Sequence, residues 1–270
     1  MLDFTGKTVL VTGGGAGIGR ACADAFARQG AKVFIAEIDA ERCASFTVGK
    51  AIQCDVSQPG QVEELARSIG EETGGKLDIL VNNVGHFLHA KAFSDLMLEE
   101  MQQIVGLNLI SLMHVTSTML PLLKAAAPGS TIINITSIEA YRGIPNCAVY
   151  AAAKWGITGF TKSLSLELAP HGIRVNDIAP ETTDTPQTPV NYMVPPENRA
   201  HVEHWVPLGR FGHPDDCAGA ALYLASPLAS WVTGTAINVD GGSLAAAGWI
   251  RDINGTWTNM PIVTGNGMNL

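Results

Sequence analysis

Thr8-Val9-Leu10-Val11-Thr12-Gly13-Gly14-Gly15-Ala16-Gly17-Ile18-Gly19-Arg20 sets a short β-branched run against five glycines in seven residues, and a helical pattern near Arg20–Gln29 follows. A strand, a glycine turn and a helix in that order form the opening unit of a parallel α/β fold. The glycines permit a tight turn. They also let an anionic group approach the backbone at a helix N-terminus, where amide donors and the dipole favour negative charge. The spacing is Gly13-x-x-x-Gly17-x-Gly19 rather than the dinucleotide fingerprint G-x-G-x-x-G, but the physics is the same. Gly13, Gly15, Ala16, Gly17, Ile18 and Gly19 are therefore expected at a pyrophosphate.

Outward from this unit the chain alternates short apolar runs with helical stretches. Candidate strands are Thr8–Val11, Lys32–Ala36, Ala51–Cys54, Leu77–Val81, Thr131–Thr136, Arg174–Ile178 and Ala236–Val239. Helical patterns lie near Gln61–Glu72, Glu99–Lys124, Ala148–Leu168 and Asp215–Ala225. Strands apolar on both sides suit a parallel sheet covered on both faces by helices, so the fold class is α/β, doubly wound. No repeat or composition break divides the chain, and 1–244 reads as a single dinucleotide-binding and catalytic domain. The segment 181–207 holds five prolines and reads as a long substrate loop with at most a short helix. The Gly- and Asn-rich end, 245–270, with Trp249 and Trp257, reads as an irregular tail laid on the domain or a neighbouring subunit.

Length and composition bound the function. The 270 residues suffice for a sizeable core, and 46% hydrophobic with 16% charged residues describes a globular chain. A net charge of -8 and a pI near 5.3 argue against nucleic-acid and anionic-membrane partners. No apolar run is expected to span a bilayer, and no signal peptide is read at the N-terminus. Cys22, Cys43, Cys54, Cys147 and Cys217 form no C-x-x-C pair, which suggests reduced thiols in the cytoplasm and no metal site.

The second strand ends in Val33-Phe34-Ile35-Ala36-Glu37. A carboxylate at that position accepts hydrogen bonds from both hydroxyls of an adenosine ribose and repels a 2′-phosphate. Neither Ala16 nor Ile38 is a basic residue that would offset the repulsion, so NAD is the expected cofactor. Asp39 is the competing ribose carboxylate and predicts NAD as well. Asp55, with Val56 beside it after the third strand, suits the adenine amino group or a helix cap.

The strongest chemical signal is Ala148-Val149-Tyr150-Ala151-Ala152-Ala153-Lys154. On a helix Tyr150 and Lys154 share one face, and an ammonium beside a phenol is expected to lower the phenol's pKa. A phenol tuned in that way can take a proton from an alcohol or return one to a carbonyl oxygen. Ser137 lies thirteen residues upstream, at the end of a candidate strand, with Thr136 able to fill the same place.

Taken together, these motifs resemble the short-chain dehydrogenase/reductase family, in its single-domain branch. The resemblance runs from Gly6 to about Gly242. It rests on Thr12-Gly13-x-x-x-Gly17-x-Gly19, Asp55, Asn82-Asn83-Val84-Gly85, Asn108, Ser137, Tyr150-x-x-x-Lys154, Asn176-x-x-x-Pro180 and Asn238-Val239-Asp240-Gly241-Gly242. It implies a doubly wound seven-stranded sheet, a nicotinamide cofactor and a homotetramer. It also implies that Tyr150 is the general acid/base, that Lys154 lowers its pKa and binds the nicotinamide ribose, and that Ser137 holds the substrate oxygen. Asn108 is implied to kink its helix and hold a water leading from Lys154 to solvent; the plainer alternative is an asparagine bonding its own helix. The stretch from Asn82 through Asn83 and Val84 to Gly85 is implied to lie beneath the adenosine.

One departure stands out: Pro180 is followed by Glu181, where the family usually has glycine. Thr185 resembles the threonine that binds the nicotinamide carboxamide, with Thr182 and Thr183 as competitors. Glu181 and Glu139 are expected at the substrate, joined by His86, Tyr141 and Cys147. Tyr192, Met193 and the tail aromatics suggest an enclosed, largely apolar cavity for a cyclic secondary alcohol or ketone such as a steroid, terpenoid or cis-dihydrodiol. A sugar or polyol is the alternative, with the glutamates holding hydroxyls. A non-catalytic NAD-binding redox sensor would lack serine, tyrosine or lysine, and all three are present.

Overall fold

A computed structural model describes residues 2–252, 254–259 and 268–269. Seven strands, β1 Thr8–Thr12, β2 Lys32–Glu37, β3 Lys50–Gln53, β4 Ile79–Asn82, β5 Thr131–Ile135, β6 Arg174–Pro180 and β7 Ala236–Val239, form one parallel sheet in the order β3-β2-β1-β4-β5-β6-β7. Along the chain the helices are α1 Gly17–Arg28, α2 Ala40–Ala44, α3 Pro59–Thr73, α4 Leu98–Val105, α5 Ser111–Ala126, α6 Glu139–Arg142, α7 Ala148–Leu168, α8 Val190–Met193, α9 Val202–Trp205, α10 Pro214–Ala225 and α11 Ser243–Ala246. The doubly wound reading and its seven strands hold.

Alternating side chains of the sheet feed two cores. Val9, Val11, Ile35, Val81 and Ile133 pack against α1 and α10 through Cys22, Phe26, Cys217 and Leu224. Leu10, Phe34, Leu80 and Ile132 face α3, α5 and α7 through Leu65, Met119 and Leu164. Burying both faces is what makes the strands apolar throughout. One polar row interrupts the second core. Register sets Asn82 beside Asn134 and Asn134 beside Asp177, across β4, β5 and β6. Asn82 donates to Asn134 and to Thr116 of α5, each at 2.9 Å.

The chain reverses order between β3-β2-β1 and β4-β5-β6, so a crevice opens at the carboxyl ends of β1 and β4, the place where such sheets bind ligands. The helix expected over 99–124 is interrupted by a π-helical turn, Gly106–Ile110, between α4 and α5. By length and hydropathy the run 98–126 is long and apolar enough to cross a membrane, contrary to the sequence expectation. Helices of a protein core pass the same test, and here Val115, Met119 and Leu123 are buried against the sheet.

Two segments differ from expectation. The loop 181–207 carries both α8 and α9, joined by a 3₁₀ turn at Pro196–His201. The tail, expected to be irregular, contains α11 and short antiparallel strands β8 Ile250–Arg251, β9 Trp257–Asn259 and β10 Met268–Asn269.

Candidate active site

The N-cap of helix α1 is Ala16, whose side chain cannot cap it, and the first turn has no acidic residue. The opening amides are thereby left for an anionic ligand. Asn83 fastens this turn to β4, donating through Nδ2 to the carbonyls of Thr12 at 3.0 Å and Gly13 at 3.1 Å. Gly13, Ala16, Gly17 and Ile18 line a cleft of about 1070 Å³ that continues past Glu37, Asp55, Val56, Val84 and Gly85 to Ser137, Tyr150 and Pro180. That volume is at the upper end of the roughly 300–1,000 Å³ usual for small-molecule sites. Uncapped amides beside the acidic corner at Glu37 fit a dinucleotide.

Not every predicted contact faces the cleft. Gly19 is buried where a Cβ would lie 2.2 Å from the Gly13 carbonyl oxygen, so its absence of a side chain serves helix–turn packing. The Gly15 amide is taken by Glu37 Oε2 at 2.9 Å. Asn82, buried in the polar row, is likewise not on the floor of the cleft.

At the adenosine end Glu37 is buried, with Oε1 accepting from the Asp39 amide at 3.1 Å. Asp39 itself caps α2 through the amides of Glu41 and Arg42. Asp55 accepts from the Ser57 amide and hydroxyl at 2.9 and 2.7 Å, forming a turn ahead of α3 rather than its cap, which falls at Gln58. Arg42 lines the same part of the cleft, and sequence inspection missed it by checking only Ala16 and Ile38. Its signal was a basic residue five positions beyond the strand-end acid.

At the other end α7 delivers Tyr150 and Lys154 on one face, with the ammonium 5.6 Å from the phenol ring centroid. Lys154 is buried and donates to the Ile135 carbonyl at 2.9 Å. Thr136 donates to the Lys154 carbonyl at 2.8 Å, which leaves Ser137 as the strand-end hydroxyl beside Tyr150. Asn108 is fully buried in the π-helical turn. It donates to the carbonyls of His86 at 2.8 Å and Ile104 at 2.9 Å, so the contact within its own helix coexists with one to the loop after β4.

The electrostatics correct one expectation. Burial pushes the Tyr150 phenol up to about 12, against the lowering effect of the Ser137 hydroxyl, with Glu139 and Cys147 adding to the rise. Burial also brings Lys154 down to about 8. The lysine does not outweigh burial of the tyrosine, because both groups sit away from water, where a charge on either is disfavoured.

Glu181 keeps backbone outside the left-handed region, and its amide donates to the Val239 carbonyl at 3.1 Å. Its carboxylate lies at the cleft but is held by the protein: Arg142 pairs with it at 2.8 Å, and Thr182 donates amide and hydroxyl at 2.7 and 2.8 Å. Arg142 also pairs with Glu139 at 2.7 Å and lies over the Trp205 ring of α9. Both carboxylates line the cleft, as expected, and each is paired with Arg142. Thr183 donates to the Glu181 carbonyl at 2.9 Å, while Thr185 lies over the glycine turn, its Cβ 3.2 Å from where a Gly17 side chain would begin.

His86 and Cys147 line the cleft, joined by Phe87, Ile144, Tyr192 and Met193, whereas Tyr141 and Trp249 line a separate cavity of about 300 Å³. Tyr192 is 89% and Met193 51% exposed, so the loop leaves the main cleft open rather than enclosed. The side chain of Trp257 lies outside the described residues. Among the described residues no cluster of His, Cys, Asp or Glu could hold a metal.

A family model described as enoyl-(acyl carrier protein) reductase matches residues 13–243. Galactitol 2-dehydrogenase of Agrobacterium fabrum is 36% identical over 255 residues, spanning 90% of this chain and 99% of that protein. The 3beta-hydroxysteroid dehydrogenase 1 of Eggerthella lenta is 39% identical over 251 residues, spanning 89% and 94%. The crystal structure of 3-ketoacyl-(acyl-carrier-protein) reductase from Brucella melitensis complexed with NADH is similar at a TM-score of 0.80, with 34% identity and coverage of 89% and 99%.

Proposed function

Because the chain belongs to the short-chain dehydrogenase/reductase family of oxidoreductases, which bind a nicotinamide cofactor, we propose that it uses NAD to interconvert a cyclic secondary alcohol and its ketone. The observation that carries this is the meeting of Tyr150, Lys154 and Ser137 in the cleft that begins at the uncapped α1, with Asn108 and Lys154 converging at Gly85. A bound nicotinamide supplies the hydride chemistry. The chain's own residues do the rest. Ser137 donates to the substrate oxygen and orients it, and Tyr150 gives that oxygen a proton or removes one. Groups of this kind contribute about 10²-fold or more each. The Tyr150 phenol, raised to about 12, is held protonated at neutral pH, which suits proton donation to a ketone oxygen.

NAD is favoured by the buried carboxylate of Glu37 at the end of β2, and the Brucella relative was solved with NADH. Arg42 at the same corner works the other way, since a guanidinium favours a 2′-phosphate. An apolar ring system is favoured by Phe87, Ile144, Cys147 and Met193 and by the likeness to a hydroxysteroid dehydrogenase. The polyol reading draws on the galactitol 2-dehydrogenase relative, but Arg142 pairs with both glutamates that would hold hydroxyls. Homotetrameric assembly in the cytoplasm belongs to this proposal and is checked by light scattering and fractionation.

Calorimetric titration of NAD and NADP, with Glu37→Ala and Arg42→Ala, tests the cofactor. Preference for NAD that collapses in Glu37→Ala supports it; tighter NADP binding that depends on Arg42 overturns it. Initial rates with hydroxysteroids and with galactitol then decide the substrate class.

A further inference from the structure

Asp177 has no exposure at all: it lies in β6, flanked in the sheet by Asn134 of β5 and Ala236 of β7. A buried carboxylate is costly unless it is hydrogen-bonded or paired. Thr161 of α7 donates to its Oδ1, and Asn134 of β5 donates to the Thr161 hydroxyl at 2.7 Å. Oδ2 has no hydrogen-bond partner among the described residues. Lys154, Thr158 and Thr161 stand at i, i+4 and i+7, so one stripe of α7 faces this carboxylate. Lys154 has the Ile135 carbonyl as its hydrogen-bond acceptor, and a buried ammonium with no countercharge readily loses its proton.

We propose that Asp177 is a positioning residue that acts through Lys154: its carboxylate, seated across the α7–β6 contact, is the countercharge that keeps the lysine ammonium protonated beside Tyr150. The assignment rests on the catalytic role proposed for Lys154. Each charge favours the other. Burial brings Lys154 down to about 8 while Asp177 acts to raise it, and burial takes Asp177 up to about 6 while Lys154 acts to lower it. The other titratable groups facing the pair are Tyr150 and Tyr141, both raised by burial, and His86, lowered by burial; none carries charge at neutral pH. An aspartate beside Asn176 within the strand Arg174–Pro180 is the mark this arrangement leaves in the sequence.

The test is a titration of the full-length protein labelled with ¹³Cε-lysine, the Lys154 resonance being assigned by its loss in Lys154→Arg. In Asp177→Asn the Lys154 midpoint should fall by about one pH unit, the size of effect expected of one nearby opposite charge. The alkaline limb of the kcat profile should move down with it. A midpoint that does not move in a folded Asp177→Asn protein overturns the proposal, whatever happens to thermal stability. Should that variant fail to fold, the wild-type resonance decides. It should show a second inflection near 6 as Asp177 takes up a proton, and a single inflection overturns the proposal. Lys154→Ala with undiminished kcat would sink the catalytic reading of the lysine instead, leaving the titration result standing.

Discussion

Asn108 holds the backbone of His86 from both sides: its Nδ2 donates to the His86 carbonyl at 2.8 Å, and its Oδ1 accepts from the His86 amide at 3.0 Å. A side-chain amide in this position copies one rung of a β-ladder. The π-helical turn Gly106–Ile110 is what brings it to the loop after β4, and turns of that kind concentrate at functional sites. Asn108→Ala removes both bonds and lets His86 and Phe87, which line the cleft, shift relative to Tyr150. Misplacement on the ångström scale costs on the order of 10²-fold in rate. The expected outcome is a fall of that size in kcat, read by steady-state kinetics, with a native circular dichroism spectrum.

Gly85 sits where a side chain would meet Lys154 Nζ at 2.8 Å and Asn108 Oδ1 at 2.9 Å. The Asn108 amide is fixed by its clamp on His86, so the lysine must give way. Gly85→Ala should therefore lower kcat by about tenfold or more without loss of fold. Unchanged kinetics would mean that Lys154 can move without consequence.

Lys154 is buried and its pKa is lowered to about 8. Below that value both folded and unfolded chains carry the charge, and the folded chain bears its desolvation. As pH rises from 8 towards the unfolded value of about 10.4, the folded chain releases its proton first, so folding is relatively stabilised. Lys154→Met has no such dependence. Between about pH 7 and pH 10 the wild type should gain up to about 3 kcal/mol relative to that variant, measured by urea unfolding at each pH. A constant difference would show that burial does not lower the lysine's pKa in the folded chain.

Arg142 gathers three parts of the site. It pairs with Glu139, two residues after Ser137, and with Glu181 after β6, and it lies over Trp205 in the loop 181–207. Arg142→Ala leaves two acidic groups facing each other and frees α9. KM should rise by about tenfold, the scale of one lost charged contact, with a smaller effect on kcat. Limited proteolysis between 186 and 207 should quicken.

The frame of this protein follows from local chemistry alone. Glycines from Gly13 to Gly19 between a β-branched run and a helix fix the first βαβ unit, and apolar runs such as Val33–Ala36 require burial on both faces, so parallel pairing with helical cover was legible. Tyr150 and Lys154 were legible as a pair because a helix places i and i+4 on one face whatever surrounds it. Ala148–Leu168 runs uninterrupted in sequence and structure alike.

What depends on through-space neighbours was beyond that reading. Glu181 was expected at the substrate, yet Arg142, thirty-nine positions earlier, holds its carboxylate. The spacing of Tyr150 and Lys154 promised a lowered phenol pKa, yet burial, which spacing does not reveal, sets the phenol high. Gly19 belongs to the glycine motif but serves packing against Gly13, and Asp177 faces the stripe of α7 that carries Lys154 only because β6 lies against α7. Periodicity and turn chemistry act between residues close along the chain, so the sequence determined the elements and their order. Desolvation and ion pairing depend on distance in space, and only the tertiary structure decided which charges stand at the substrate and which are held by the protein.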